Sequence, residues 1–359
     1  MTVDVPSEAS EITPEWLSAA FAEGGLAGAA VSGIDATRIG EGVGFMGELH
    51  RLAITYADAP DGAPASVIAK MPTADPGGRT MGTMLRLYEK ESGFYRHLSA
   101  DCPAPTARCF YNGAEPEAQK WCLLLEDLAD HEPGDQLRPR TLDETMSMIS
   151  TLARIHATWS DGRADTHGWL PKVDDPCSAG MVAMFDDAYP VTMERYGHVI
   201  PAYMHDWGPR FAPTALDWIA GFAAQPSTII HGDYRTDNFL FAPDGSSVLL
   251  DWQLTSRGPD AYDLYYFLAM SPDPDVVCES FDMLVDLYLT ELAAAGATPP
   301  TRDVLLDQMR GIGLWFTVLG IVTFSMIDSA NTRGEELFLS MWRRGFQVAE
   351  RLDLSPAVP

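Results

Sequence analysis

Apolar and polar positions alternate differently in the two parts of this chain. The stretch "ITPEWLSAAFAEGGL" (12–26) predicts a short amphipathic helix: Thr13 caps it, Pro14 takes the first helical position and Gly24-Gly25 stops it. In "ATRIGEGVGFMGELHRLAITYA" (36–57), glycine punctuation is followed by a β-prone run. "ASVIAKMP" (65–72) reads as a compact strand closed by Pro72, and "WCLLLED" (121–127) as a buried strand. Between them, "RTMGTMLRLYEKESGFYRHLSA" (79–100) predicts one long helix with Leu85, Tyr88 and Gly93 to Tyr95 near one stripe.

The composition shifts at about residue 127. "TLDETMSMISTLARIHATW" (141–159) opens with Thr141-x-x-Glu144, a capping box, and carries helical periodicity. A polar loop in "IIHGDYRTDNFLF" (229–241), a strand "SVLLDW" (247–252) and a run of helices follow. The apolar stretch "GIGLWFTVLGIVTFSM" (311–326) is shorter than a membrane span usually needs, so it predicts a buried helix and no membrane partner. The order is a β-rich N-terminal portion with one helix, then a mostly helical C-terminal portion, and the size suggests one big domain or two lobes sharing a cleft.

Composition narrows the function classes. With 359 residues, 46% of them hydrophobic, the chain can bury a large core. A net charge of −27 argues against nucleic-acid partners, which demand clustered Lys and Arg. Five cysteines in no CxxC or metal-ligand spacing fit a reduced, cytoplasmic protein. The acidic start "MTVDVPSEASEITPEWL" has neither the basic nor the apolar region of a signal peptide. The residues leave the oligomeric state open.

The chemistry concentrates in a few places. The loop between two apolar stubs offers a carboxylate, Asp233, and an amide, Asn238, and Asp251 ends the apolar run "SVLLD". Two carboxylates and an amide oxygen are hard ligands of the kind Mg²⁺ takes together with phosphate oxygens and water. Upstream, Gly42, Gly44 and Gly47 make a G-x-G-x-x-G. A dinucleotide-binding loop would open a helix, whereas a β-prone run follows here, so the glycines read as a lid whose backbone amides cover phosphates. Lys70 lies on the next strand among Val67, Ile68, Ala69 and Met71, where an unpaired ammonium would be costly, and Glu91 on the long helix is its natural partner.

In order, the chain shows a Gly-rich loop, a strand lysine, a helical glutamate, "LLLEDL", "HGDYRTDN" and "LLDWQ". This series resembles the protein-kinase-like small-molecule phosphotransferases, in particular the aminoglycoside phosphotransferase and ecdysteroid-kinase-like groups. "HGD" stands where protein kinases have "HRD", and "DWQ" where they have "DFG". "LARIHATW" and "GPDAYDLYYFL" also look like that group, and the resemblance runs from about Thr13 to the C-terminal helices.

The resemblance implies an α+β, two-lobed protein-kinase-like fold, with a small β-rich N-lobe with one main helix over 1–126 and a larger, mostly helical C-lobe over 127–359. It also implies ATP and Mg²⁺ as cofactors and transfer of the γ-phosphate to a hydroxyl. Asp233 would accept or orient the acceptor proton, and Arg235 would neutralise charge on the phosphoryl group. Asn238 and Asp251 would hold the metal. Lys70, steadied by Glu91, would grip the α/β-phosphates, and the backbone around Glu126 to Leu128 would meet the adenine. His231 is expected to be a structural hydrogen-bonder, Asp263 to brace the catalytic loop, His156 to be a satisfied core histidine, and Asp237 to order or solvate the loop.

Two gaps bear on the substrate. Only six residues, 252–257, separate Asp251 from "GPDAYDL", too few for a phosphorylatable activation segment. Residues 160–230 form a helical insertion suited to walling off a small pocket. Its nine acidic and four basic residues match the chain average, so its charge does not select a polycation. A small hydroxylated, non-peptide alcohol is expected; steroid-like, aminoglycoside, choline-type and hydroxyacyl-thioester acceptors stay open. The alternatives in other classes are a catalytically inactive nucleotide-binding pseudokinase and a dinucleotide-dependent oxidoreductase.

Overall fold

A sheet of five antiparallel strands follows the first helix. The structure is a computed structural model that describes residues 3–40, 47–326 and 332–359. The strands of this sheet are β1 (Ala30–Ile39), β2 (Gly47–Asp58), β3 (Ser66–Pro72), β4 (Cys109–Glu115) and β5 (Lys120–Glu126), in the spatial order β1-β2-β3-β5-β4. Of these, β2, β3 and β5 are the stretches expected from sequence, while β1 and β4 were not foreseen. Because side chains alternate across a strand, Val67, Ala69 and Met71 share one face of β3. They pack with Leu17, Ala20 and Phe21 of helix α1 (Pro14–Glu23) and with Leu52, Phe110, Cys122 and Leu124. Lys70 falls on the opposite face. Thr13 caps α1 as expected, accepting a hydrogen bond from the Trp16 N–H at 3.2 Å.

The long helix expected over 79–100 is two helices, α2 (Pro76–Met84) and α3 (Leu87–His97). Arg86 breaks it with a left-handed φ of 56°, and its guanidinium folds onto Glu89, with Nε to Oε2 at 3.0 Å. Near this break, Gly82 of α2 lies against Tyr88 of α3. A Cβ there would lie 2.5 Å from the Tyr88 hydroxyl, so the Tyr88 ring can close over α2 only because that atom is missing. Short-range periodicity continues through this point and gives no sign of the break.

The remaining helices are α4 (Leu142–Trp159), α5 (Pro176–Ala183), α6 (Phe185–Tyr196), α7 (Ala202–Phe211), α8 (Ala215–Ala223), α9 (Ala261–Met270), α10 (Pro274–Ala294), α11 (Arg302–Ser325) and α12 (Thr332–Leu352). The expected capping box opens α4: the Thr141 Oγ accepts from the Glu144 N–H at 3.4 Å, and Glu144 accepts from the Thr141 N–H at 2.9 Å. α10 packs on α4, while α11 packs on α6 and α9. The apolar run 311–326 belongs to α11, the one described helix long and apolar enough to cross a membrane; Ile312, Leu314, Trp315, Val318 and Val322 on it are buried.

The chain divides into two compact units. The first is Met1–Glu132 together with Leu240–Leu254, and the second is Pro133–Phe239 together with Thr255–Pro359. The expected boundary at 126/127 falls within the first unit, which also takes back the segment that follows the polar loop.

Candidate active site

In the first unit the side chain of Lys70 meets two carboxylates. β3 is a central strand, with Lys70 facing Leu49 on β2 and Leu123 on β5. Its ammonium donates to Glu91 Oε1 at 2.8 Å and to Asp251 Oδ1 at 2.7 Å. The pairing with Glu91 is the one expected from sequence; that with Asp251 was not foreseen. Burial alone would lower the Lys70 pKa, but Asp251 and Glu91 together raise it above the ordinary lysine range. Burial pushes the Glu91 carboxyl up, and the Lys70 charge pulls it back. A small hollow beside the ammonium is lined by Gly47, Lys70, Tyr88, Glu91, Trp121 and Gln253.

Asp251 sits in the left-handed region with φ 64°. For a non-glycine residue this costs roughly 1 kcal/mol unless the surroundings hold it. The holding is visible: Trp252, fully buried, stacks on Phe94 of α3 with centroids 3.8 Å apart and planes 6° from parallel. The Leu249 N–H donates to the Pro105 carbonyl at 2.9 Å, and Gln253 Nε2 donates to Asp251 Oδ2 at 3.2 Å.

At the end of β5, the Glu126 N–H donates to the Arg108 carbonyl at 2.8 Å, and the Leu128 carbonyl accepts from the His131 N–H at 3.0 Å. Asp127 between them is anchored. It receives Arg51 Nε at 2.8 Å, Arg51 Nη2 at 3.1 Å and the Ser66 hydroxyl at 2.7 Å. Gly47 opens β2 opposite Pro72. Gly42 and Gly44, and with them most of the glycine loop, lie outside the described residues.

In the second unit the polar loop wraps around one carboxylate. Asp233 Oδ1 accepts from Arg235 Nε at 2.9 Å and from the Tyr266 hydroxyl at 2.6 Å. Its Oδ2 accepts from Asn238 Nδ2 at 2.8 Å, and the same amide nitrogen donates to the Asp233 carbonyl at 2.7 Å. Asn238 therefore spends its nitrogen on the loop, which directs its oxygen to other partners. Arg235 also donates to Asp237 Oδ2 at 2.8 Å. Burial would lower the Arg235 pKa, but Asp233, Tyr266 and Asp237 outweigh it and keep the guanidinium charged.

The loop is braced from beneath. Fully buried Asp263, on α9, accepts the backbone N–H groups of His231 at 2.6 Å and Gly232 at 2.9 Å. Gly232 has φ 82°, a conformation that suits glycine and brings both N–H groups towards one carboxylate. His156 contacts the same carboxylate through Nε2 at 3.2 Å and the Tyr288 hydroxyl through Nδ1 at 2.6 Å. It is a satisfied core histidine, as expected. His231 Nδ1 accepts the Asp233 N–H at 3.2 Å, which is a structural part. Asp237 Oδ1 accepts the Gln136 N–H at 2.6 Å, so its carboxylate orders the loop.

The structure thus groups the sequence-predicted residues into two sets: Lys70, Glu91 and Asp251 in one unit, and Asp233, Arg235 and Asn238 in the other. Tyr266 and Asp127 were missed. A signal for Tyr266 existed, since it follows Asp263 by three residues and a helix puts both on one face.

The ecdysteroid kinase-like family model matches residues 41–297. The chain belongs to this family. No curated protein matches the sequence. Among solved structures, it is similar to a protein from Ralstonia eutropha JMP134 assigned to the aminoglycoside phosphotransferases. That match has a TM-score of 0.53 and 15% identity, covering 93% of this chain and 98% of that one. A choline kinase from Cryptosporidium parvum Iowa II gives a TM-score of 0.52 at 10% identity, covering 90% and 92%. The GDP and kanamycin complex of APH(2")-IIia gives 0.52 at 12% identity, covering 90% and 95%. These likenesses establish the protein-kinase-like fold, with its β-sheet N-terminal region and helical C-terminal region. As a member of the ecdysteroid kinase-like family, the chain is a small-molecule phosphotransferase acting on a hydroxyl group.

Proposed function

We propose that the donor is ATP with Mg²⁺ and that the γ-phosphate passes to a hydroxyl of a small, non-peptide, uncharged or weakly charged alcohol. The observation that carries this reading is the Lys70 ammonium held between Glu91 and Asp251. An ammonium has three donors, and two engaged by carboxylates leave a third for a phosphate oxygen. Solved structures of similar fold include a GDP complex, which supports a nucleotide donor here.

In this reading Lys70 binds the α/β-phosphates, Glu91 steadies it, and the glycines at 42, 44 and 47 cover the phosphates with backbone amides. The backbone from Glu126 to Leu128 meets the adenine; because the Glu126 N–H is engaged by Arg108, other groups of that segment must do so. Asp251 and the Asn238 oxygen are the ligands for Mg²⁺. Among the described residues no group of three or more His, Cys, Asp or Glu could hold a metal. Two protein oxygens suffice for Mg²⁺, which keeps waters and phosphate oxygens as its other ligands. When bound, the ion neutralises phosphate charge. Asp233 orients the acceptor hydroxyl and takes its proton, and Arg235 keeps positive charge beside the transferring group. Helices α5–α8, within 160–230, supply the acceptor pocket. The cysteine pattern supports a cytoplasmic setting.

Mg-ATP should raise the melting temperature, and an ADP-release screen over diverse alcohols should find an acceptor. Asp233→Asn should cut ADP release by at least about 100-fold while keeping the Mg-ATP stabilisation. Absence of that stabilisation in the wild type, or full transfer by the variant, would overturn the reading.

A further inference from the structure

A carboxylate has about four lone-pair sites, two on each oxygen. In Asp233 both sites on Oδ1 are filled, by Arg235 Nε at 2.9 Å and by the Tyr266 hydroxyl at 2.6 Å. Asn238 Nδ2 takes one site on Oδ2 at 2.8 Å. One lone pair on Oδ2 is left. The guanidinium and the amide come from the polar loop itself, but the phenol comes from α9, 33 residues further along the chain.

From this we infer that Tyr266 is a positioning residue for the base: its hydroxyl closes Oδ1 and leaves Oδ2 as the place where an acceptor hydroxyl docks. The inference rests on the reading of Asp233 as the base, and it deepens that reading by fixing which oxygen acts. Three features of the surroundings suit the role. The Tyr266 ring lies 4.9 Å from the Phe316 ring, and Phe316 also packs on Tyr262 at 5.1 Å and Tyr265 at 6.0 Å, so the phenol is held by aromatic neighbours on α9 and α11. Burial, with the nearby Asp233 charge, raises the phenol pKa well above its ordinary value, so the hydroxyl stays protonated and can only donate to the carboxylate. A distance of 2.6 Å is that of a charge-assisted O–H···O⁻ bond.

The effect on chemistry follows from the bond's polarity. A charge-assisted donor on Oδ1 locks the plane of the carboxylate. Removing it lets the carboxylate rotate about its bond to the chain. An acceptor hydroxyl would then meet two half-occupied oxygens in place of one defined site.

The test uses the full chain and begins without any substrate. The ¹³Cγ resonance of Asp233, identified by its loss in Asp233→Asn, is compared at one neutral pH in the wild type and in Tyr266→Phe. It should move in the phenylalanine variant, which has lost the bond to Oδ1, and stay in place in Tyr262→Phe, which alters the same aromatic cluster. With Mg-ATP and water as the acceptor, Tyr266→Phe should release ADP about tenfold more slowly, with the KM for ATP unchanged. An unmoved Asp233 resonance would overturn the inference. So would a faster variant, since that is the mark of a phenol that must be displaced by the acceptor. A moved resonance in a protein that neither binds Mg-ATP nor releases ADP would leave the Tyr266 bond standing and sink the ATP reading.

Discussion

The two residue sets obey opposite designs. Around Lys70, one cation is shared by two carboxylates at 2.7 and 2.8 Å, so the set is made of formal charge. Around Asp233, one carboxylate is surrounded by donors of which only Arg235 is charged; the phenol and the amide are neutral. Losing the single cation in the first set leaves the buried Glu91 without its ion-pair partner and takes one partner from the half-buried Asp251. Losing any one donor in the second leaves others in place. The first set should therefore be brittle and the second tolerant.

Lys70→Ala offers the largest break in this comparison. It should lower stability by about 3 kcal/mol or more, since an unpaired buried carboxylate costs that much, and it should weaken Mg-ATP binding. Chemical denaturation and nucleotide titration read the two effects. Adding Glu91→Gln to the alanine variant should restore part of the stability, because one stranded charge is removed, but none of the affinity. A Lys70→Ala protein as stable as wild type would show that the charges are not the mainstay of that set.

Asp263→Ala tests the second set from beneath. The loss uncovers the N–H groups of His231 and Gly232 and one partner of His156, and each buried donor left alone costs about 1 kcal/mol or more. A stability loss of roughly 2–3 kcal/mol is expected, together with loss of ADP release, because the loop carrying Asp233 is no longer braced. Hydrogen exchange at the His231 and Gly232 amides gives the local reading. Unchanged protection there would mean the loop is held by other means.

The smallest effect lies away from both sets. Burial raises the Glu144 pKa, but the Thr141 N–H and hydroxyl, helped by Arg140 and Arg138, outweigh it and hold the carboxyl below its ordinary value. A depressed carboxyl adds stability that is present above its unfolded value and is lost as pH falls through its folded value. Glu144→Gln should remove about 0.5–1 kcal/mol at neutral pH and flatten that acid-side loss, seen in melting temperatures across pH 3–6. No change in pH dependence would show that the capping box carries no charge effect.

Much of this was readable from residues close together in the chain. The Thr13 and Thr141 caps, strand β3 around Lys70 and the capping partner Glu144 all depend on neighbours within four positions. The spacing of Asp233 and Asn238, five residues apart, is nearly as local. The partner of Lys70 on α3 was also legible, because an apolar strand leaves a lysine few choices and Glu91 lies in a nearby amphipathic helix. The break at Arg86 was not legible, since a left-handed φ at an arginine has no local signature in the residue types.

What the sequence determined by itself is the order of elements and the chemical types that each polar stretch presents. Those rest on backbone sterics, caps and periodicity, which act over a turn or two. Only tertiary structure decided that Asp251, 181 residues beyond Lys70, shares its ammonium, or that Tyr266 rather than another tyrosine of "YDLYYFL" closes Oδ1 of Asp233. Packing makes that choice: it sets which side chains meet once distant segments are buried together, and no local pattern carries the information.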